Sequence, residues 1–184
     1  MANTVTNVSA GKPKKSGAIY RAALGSTLPT DASGTLDTAF KALGYVSEDG
    51  LTNDNSPAAE DIRAWGGDVV LTVQTKKNDT FHFTLLEALN VEVLKAVYSD
   101  DNVTGTTLAN GLAVTANGND QEDACWVFDM ILRGGVLKRI VLPDAKISEL
   151  GEISYTDSDA IGYEITLSCM PDASGNTHYE YISE

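Results

Sequence analysis

The chain has 184 residues, with 13 Lys and Arg against 26 Asp and Glu, so its formal net charge is −13. This acidic balance disfavours proteins that grip nucleic-acid phosphates, because such binding needs a basic surface that releases counterions. The length predicts one domain with a hydrophobic core, and no stretch approaches the roughly 18 apolar residues of a membrane span. The first residues carry charge without an apolar segment behind it, so we expect no signal peptide and a protein that stays in the cytoplasm.

The N-terminal segment 1–18 is rich in Asn, Thr, Ser, Gly and Lys and has too few apolar side chains to fold alone. It predicts a flexible arm in front of a folded domain at 19–184. Residues 35–44 then have the pattern of a short helix, in which Thr35 is the N-cap and Gly44 closes the last turn. The polar stretch 47–61 predicts a long loop.

Beyond this point the apolar period changes to two. Val69 to Thr75 and Phe81 to Leu85 alternate between apolar and polar side chains, and the turn KKND separates them, which predicts a β-hairpin. Asn90 predicts the start of a helix that is apolar on one side and stops at SDDN.

The second half of the chain contains most of the predicted strands. They lie at 125–133, 136–142 and 161–169, the first and third with an alternating pattern, and a last strand lies around 179–181. The apolar run at 136–142 indicates a strand covered on both faces. The fold class is therefore mainly β: an antiparallel β-sandwich or partly closed barrel with one flanking α-helix.

The usual agents of catalysis are sparse in this sequence. His82 and His178 are solitary, Cys125 and Cys169 lie in apolar runs typical of buried thiols, and no HExxH, GxSxG or P-loop motif occurs. The acidic stretches at 117–123 and 157–159 lack the residue order of an EF-hand. We therefore expect no enzyme, no cofactor and no metal.

A β domain with a basic arm, an acidic C-terminal region and long polar stretches suits association with its own copies. Residues 1–30 hold four basic and no acidic side chains, whereas residues 147–184 hold eight acidic and no basic ones. An arm can lie on a neighbouring copy, and exposed strand edges can pair between copies.

Three segments resemble a known protein family. They are AIYRAALGSTLPTDAS at 18–33, the stretch from FKALGYVSEDG to SDDNVTG at 40–105, and RGGVLKRIVLPDAKISELGEISYTDSDAIGYEITLSCMPD at 133–172. On these segments the chain resembles the major tail proteins, or tail tube proteins, of long non-contractile-tailed bacteriophages, particularly those of Gram-positive hosts. The resemblance implies a β-sandwich with a flanking helix. It also implies rings, typically hexameric, that stack into the virion tail tube and conduct double-stranded DNA into the host without binding it specifically.

The resemblance further implies assembly in the host cytoplasm and tail initiator, tape-measure and terminator proteins as partners, without a membrane. We expect the arm and the stretch 47–61 to cross to neighbouring copies. The candidate inter-subunit or ring-stacking residues are Lys12, Lys14, Lys15, Glu48, Asp49, Leu51, Asn53 and Asp54. Asp129 and Glu164 are the candidates for the lumen, since negative charge there repels the DNA backbone.

The alternative is a β-sandwich adhesin or carbohydrate-binding module that uses Trp65, Trp126, Tyr179 or Tyr181 as a stacking platform. Trp126 is in phase with Phe128 and so favours the core. Trp65 is a core anchor or an interface residue, with the core slightly favoured. A metal-dependent enzyme is a third and weaker alternative, because no ligand constellation supports it.

Overall fold

The computed structural model describes residues 3–14 and 17–184. Strands dominate these residues, and in chain order they are β1 (Lys12–Pro13), β2 (Ile19–Ala23), β3 (Lys41–Ala42), β4 (Val46–Asp54), β5 (Pro57–Arg63), β6 (Val69–Lys77), β7 (Thr80–Leu85), β8 (Val103–Thr104), β9 (Ala113–Val114), β10 (Ala124–Ile131), β11 (Leu137–Leu150), β12 (Tyr163–Cys169) and β13 (Tyr179–Ser183). The α-helix of the described chain is α1 (Val91–Tyr98), between β7 and β8.

Nine strands form one antiparallel sheet in the order β3-β2-β10-β11-β12-β7-β4, with β1 also beside β10 and β13 also beside β11. The long strand β11 joins the two parts of the sheet, because its first half pairs with β13 and its second half pairs with β12. A register shift between Ile147 and Glu149 interrupts the pairing with β12. The sheet does not close, which confirms the predicted mainly β, antiparallel sandwich or partly closed barrel with one flanking helix.

Apolar side chains lie on both faces of β10 and β11. The larger core cluster includes Trp126 and Phe128 of β10 together with α1 and the inner faces of β7 and β12. Phe81 stacks on Phe128 with ring centroids 5.5 Å apart. The smaller core cluster, on the opposite face, is built from Ala22, Phe40, Cys125, Val127 and Val141. The prediction of a strand covered on both faces at 136–142 is confirmed.

Helix α1 begins where the sequence predicted it. The Asn90 side chain accepts a hydrogen bond from the backbone N–H of Glu92 at 3.0 Å, which satisfies one of the unpaired donors of the first turn. Val93, Leu94, Ala96 and Val97 are buried against the larger core cluster. The helix stops at Ser99, whose φ of 75° ends the helical hydrogen-bond pattern.

The short helix predicted at 35–44 is wrong. Asp37 instead starts a turn, with its carbonyl accepting from the Phe40 N–H at 3.0 Å, and Lys41–Ala42 then pairs with β2. Phe40 packs into the smaller core cluster and Leu43 into the larger one, on opposite faces of the sheet. One face of a helix cannot supply both, so tertiary packing overrides the local helical pattern.

The predicted hairpin and the predicted loop are also wrong. Strands form at both halves of the expected hairpin, but β6 pairs with β5, while β7 lies between β12 and β4. The stretch 47–61 is not a loop, because β4 and β5 occupy most of it. Together β4 to β7 form one long hairpin. Its outer part, Pro57–Lys77, is the distal hairpin, and nearly all of its side chains are exposed.

Candidate assembly interface

The two faces of the distal hairpin differ in chemistry. Directly opposed residues of an antiparallel pair point to the same face, and opposed pairs alternate between faces. Ile62 opposes Leu71, and Glu60 opposes Val73, on one face; Asp61 opposes Thr72 on the other. Ile62 and Leu71 are 50% and 54% exposed. The distal hairpin therefore presents a mainly apolar face to solvent, whereas a hydrogen bond from Thr72 to Asp61 crosses its polar face.

Trp65 stands at the tip of the distal hairpin and is fully exposed. The tip is closed by hydrogen bonds from the Ala64 N–H to the Asp68 carbonyl and from the Gly67 N–H to the Ala64 carbonyl. The slightly favoured core position of Trp65 is wrong, because the hairpin pairing carries this residue away from both core clusters. Trp126, in contrast, is buried in the larger cluster as predicted.

Strand β4 forms one end of the described sheet and carries five of the predicted inter-subunit residues. Glu48 and Asp49 are exposed, while Leu51 packs partly against the larger core cluster. Asn53 donates to the Asp79 carboxylate at 2.8 Å, and Asp54 accepts from Ser56. Within the described residues β4 pairs only with β7. Its other edge offers backbone groups to a further strand.

A groove of about 530 Å³ separates β4 from β1 and β10, where the sheet fails to close. Its walls include the apolar side chains of Val46, Leu51, Phe128 and Met130. The groove is open along a strand edge, which is the arrangement that accepts an extended segment of another chain.

The N-terminal segment lies along β10 in the described subunit. Lys12 and Pro13 pair with Ile131 and Met130, and the Arg133 side chain donates to the Val5 carbonyl at 3.2 Å. The side chains of residues 3–13 are exposed. Lys14 is 3.5 Å from the Asp129 carboxylate, and Lys15 lies outside the described residues.

The two lumen candidates have different surroundings. Asp129 is 4% exposed, and both of its carboxylate oxygens accept hydrogen bonds from Arg139, at 2.6 and 2.9 Å. The hydrogen bond from Arg139 to Asp129 raises the pKa of this guanidinium against the effect of burial. Asp129 therefore presents no uncompensated charge at the subunit surface. Glu164 is exposed on β12, on the face that points away from the core.

The outer face of β4, β7, β12 and the second half of β11 is polar. Phe81, Phe83, Ile165 and Leu167 point to the other side of these strands, into the core. The register places the following side chains on the polar sheet face: Thr52, Asp54, Thr80, His82, Thr84, Lys146, Glu149, Glu164, Thr166 and Ser168. Hydroxyl groups outnumber charges there. His82 contacts Thr166 at 2.9 Å and Thr80 at 3.3 Å.

A buried cluster around Asp79, just before β7, was not expected from the sequence. Asp79 is 3% exposed and accepts hydrogen bonds from Asn53, Thr177 and His178, at 2.8, 2.5 and 2.5 Å. Burial would raise the pKa of Asp79, but these hydrogen bonds hold it below its ordinary value of 3.8. Thr177 and His178 lie 98 and 99 positions after Asp79 in the chain. No local pattern in the sequence therefore predicts this Asp79 cluster.

The thiol beside the Asp79 cluster has a raised pKa. Cys169 is the nearby thiol, and burial together with the charges of Asp79 and Asp144 raises its pKa to about 12. Such a thiol is protonated at neutral pH and is a poor nucleophile. In residues 3–14 and 17–184, no three His, Cys, Asp or Glu side chains are grouped to hold a metal ion. Among the same residues, none of the helices could serve as a transmembrane segment.

One family model matches the chain over nearly its whole length. The family model described as "Phage tail tube protein" matches residues 6–184. No curated protein matches the chain. A similar solved structure is described as the cryo-EM structure of the anti-feeding prophage cap (AFP tube terminating cap); it is 12% identical, 100% of each chain is covered, and the TM-score is 0.40.

Proposed function

The chain belongs to the phage tail tube protein family and is a structural component of the virion tail. We propose that its copies form stacked hexameric rings around a conduit for genome delivery. The observation that carries this proposal is the distal hairpin, whose apolar face and Trp65 tip lie in solvent in the single subunit. Exposed apolar surface of this kind marks a protein–protein contact. Burial against a second copy would remove it from water.

Ring closure is assigned to the two edges of the part of the sheet formed by β11, β12, β7 and β4. One edge is β4; the other is residues 146–150 of β11, beyond the last pairing with β10 at Ala145. Three antiparallel pairings separate β11 from β4, so the two strands run in opposite directions. A β4 strand could therefore extend the antiparallel sheet onto β11 of the next copy, and such head-to-tail contacts close into a ring.

The polar sheet face is proposed to line the lumen. Glu164 remains a lumen candidate on this face, whereas the pairing of Asp129 with Arg139 leads us to remove Asp129 from the lumen set. The formal charges on this face are Asp54, Glu149 and Glu164 against Lys146. A hydrated, weakly negative wall gives DNA phosphates no basic groups to bind, so DNA could pass without sticking.

Stacking between rings is assigned to the distal hairpin, the N-terminal arm and the exposed residues of β4. Lys12, Glu48 and Asp49 line the same groove, so an arm exchanged between copies would find acidic partners there. Lys14, Lys15, Leu51, Asn53 and Asp54 stay in the proposed contact set. Tail initiator, tape-measure and terminator proteins are the proposed partners in the host cytoplasm, for a long non-contractile tail of a phage of a Gram-positive host.

Electron microscopy of the purified protein at raised concentration tests the proposal. We expect rings or tubes from the wild type and from Thr72→Lys, which places a charge on the polar face of the distal hairpin. Leu71→Lys places the same charge on the apolar face and should give a folded monomer that does not polymerise. Deletion of residues 2–15 should also leave a folded monomer that polymerises poorly. Normal tubes from Leu71→Lys would overturn the role of the hairpin.

The alternative function, a carbohydrate-binding module or adhesin, is favoured by one observation, the full exposure of Trp65. An exposed indole ring is a suitable platform for a sugar ring. A glycan-binding measurement on the wild type and on Trp65→Ala separates the two functions. A persistent monomer that loses glycan binding on this substitution would support the alternative, and tubes without glycan binding would exclude it.

A further inference from the structure

The base of the distal hairpin is a gap between two separate ladders, β4 with β7 and β5 with β6. The last pair on the sheet side joins Asp54 to Thr80, and the first pair on the hairpin side joins Pro57 to Lys77. Residues 55–56 and 78–79 between them make no ladder pair. The buried side-chain oxygen of Asn55 has no hydrogen-bond partner within the described chain. Without ladder hydrogen bonds, this gap is the point at which the hairpin can change its direction relative to the sheet.

The Asp79 cluster occupies this gap. Its carboxylate accepts from Asn53 at the end of β4, and from Thr177 and His178 in the segment before β13. Its backbone carbonyl accepts from the Cys169 N–H at 2.9 Å, at the end of β12. One residue of the gap is therefore tied to three separate parts of the chain.

The His178 side of the cluster rests on the core. The imidazole ring packs edge-on against Phe81, with ring centroids 5.4 Å apart, and Phe81 is 1% exposed in the larger core cluster. His178 is therefore held by the body of the subunit and not by the hairpin. Because a buried carboxylate is stable only while it is hydrogen-bonded, Asp79 is strongly constrained to this position.

We propose that Asp79 and His178 are positioning residues that set the direction in which the distal hairpin leaves the sheet, with the C-terminal segment 177–178 as the fixed part. The hairpin then projects already oriented, and less conformational entropy is lost when it meets a partner. The orientation is a property of the single subunit. Its consequence for tube growth rests on the proposed function.

Distances between two spin labels on the unassembled subunit test this inference. Labels on cysteines introduced at Ala64, near the hairpin tip, and at Glu149, on β11, report the hairpin direction, since both side chains are exposed. Cys125 is buried and Cys169 is partly buried, and burial raises the pKa of both thiols, so they should react with the label more slowly than the two exposed cysteines. The wild type should give one narrow distance distribution.

Asp79→Ala and His178→Ala should each widen that distribution by about twofold or more, because the gap then loses its tether. His82→Ala is the matched control, since it removes the other histidine, which bonds Thr80 and Thr166 on the sheet face. The control should keep the wild-type width. If Asp79→Ala does not fold, His178→Ala decides, because it removes a partner that is already partly exposed.

An unchanged width in a folded His178→Ala or Asp79→Ala protein would overturn the inference. Tube growth measured in parallel keeps the two proposals apart. Widened distances with a wild type that never forms tubes would leave the positioning role standing and remove the proposed function. If the wild type forms tubes but Asp79→Ala and His178→Ala keep the narrow distance distribution, the proposed function would stand and the positioning role would be removed. Where both proposals hold, tube growth by His178→Ala should slow by about tenfold.

Discussion

Arg139 and Asp129 face each other across β11 and β10 and form a two-point ion pair inside the subunit. Their side chains are 1% and 4% exposed. The remaining donor of the guanidinium, Nη1, bonds the carbonyls of Asp31 and Gly34 at 3.1 and 2.9 Å. The pair therefore compensates two buried charges and also holds the 31–34 loop against the sheet.

Removing one member of this pair should destabilise the subunit strongly. Arg139→Met leaves the Asp129 carboxylate buried with Lys14 as its remaining cation, and we expect a loss of about 3–5 kcal/mol in the free energy of unfolding. The double variant Asp129→Leu/Arg139→Met should lose much less than the sum of the single variants. Urea unfolding of the three variants measures this, and additive losses would contradict the pairing.

The two tryptophans should respond differently to the same substitution. Trp126→Ala empties a site in the larger core cluster and should cost about 3–5 kcal/mol of unfolding free energy. Trp65→Ala removes a ring that is in solvent and should change this free energy by less than about 0.5 kcal/mol. Denaturant unfolding of the unassembled subunit checks both. A large loss for Trp65→Ala would show that the ring packs on its own subunit.

The N-cap of α1 can be tested by its chemistry. Asn90→Ala removes the acceptor for the Glu92 N–H and should cost about 1 kcal/mol of unfolding free energy. Asn90→Ser keeps a side-chain acceptor for this N–H and puts no second carboxylate beside Glu87, to which the Asn90 amide donates at 2.9 Å, so it should retain most of the stability. Thermal unfolding of the two variants gives the comparison, and equal losses would indicate that the cap contributes little.

The Asp79 cluster predicts an acid-sensitive contribution to stability. Burial opposes ionisation of Asp79, but the hydrogen bonds from Thr177, His178 and Asn53 lower its pKa below 3.8 in the folded protein. A lowered folded pKa means that the stabilisation is present above the unfolded value and is lost as the pH falls through the folded one. The stability difference between the wild type and Asp79→Asn should therefore shrink as the pH falls from about 5 to below 3.8. Urea unfolding at several pH values measures this difference. A difference that grows on acidification would contradict the assignment.

Regular local patterns were sufficient for part of the fold. In β12, Tyr163, Ile165 and Leu167 are buried in alternation with polar residues, as their period of two predicted. The cap at Asn90 and the apolar side of α1 were also predicted, because both depend on side chains within a few positions of each other. Trp126 was placed in the core by its phase with Phe128 on the same strand.

The candidate interface was predicted less well, and the polar stretch 47–61 shows why. Its Asn, Asp, Ser and Gly residues are typical of a loop, yet β4 and β5 satisfy their backbone groups by pairing with β7 and β6. Exposed strands tolerate polar side chains, so composition does not separate such a strand from a loop. Lys12, Glu48 and Asp49 were singled out because they lie in long polar stretches, but the sequence could not place them around one groove.

The sequence by itself determined the buried faces of β7 and β12, the start of α1 and the acidic character of the chain, because these follow from neighbouring residues and from composition. Only the tertiary structure decided that β6 pairs with β5, that Trp65 stands in solvent, and that Asp79 meets His178. Local periodicity reports which face a side chain occupies. The choice of strand partner, and of the donor for a buried carboxylate, depends on residues far along the chain that only packing brings together.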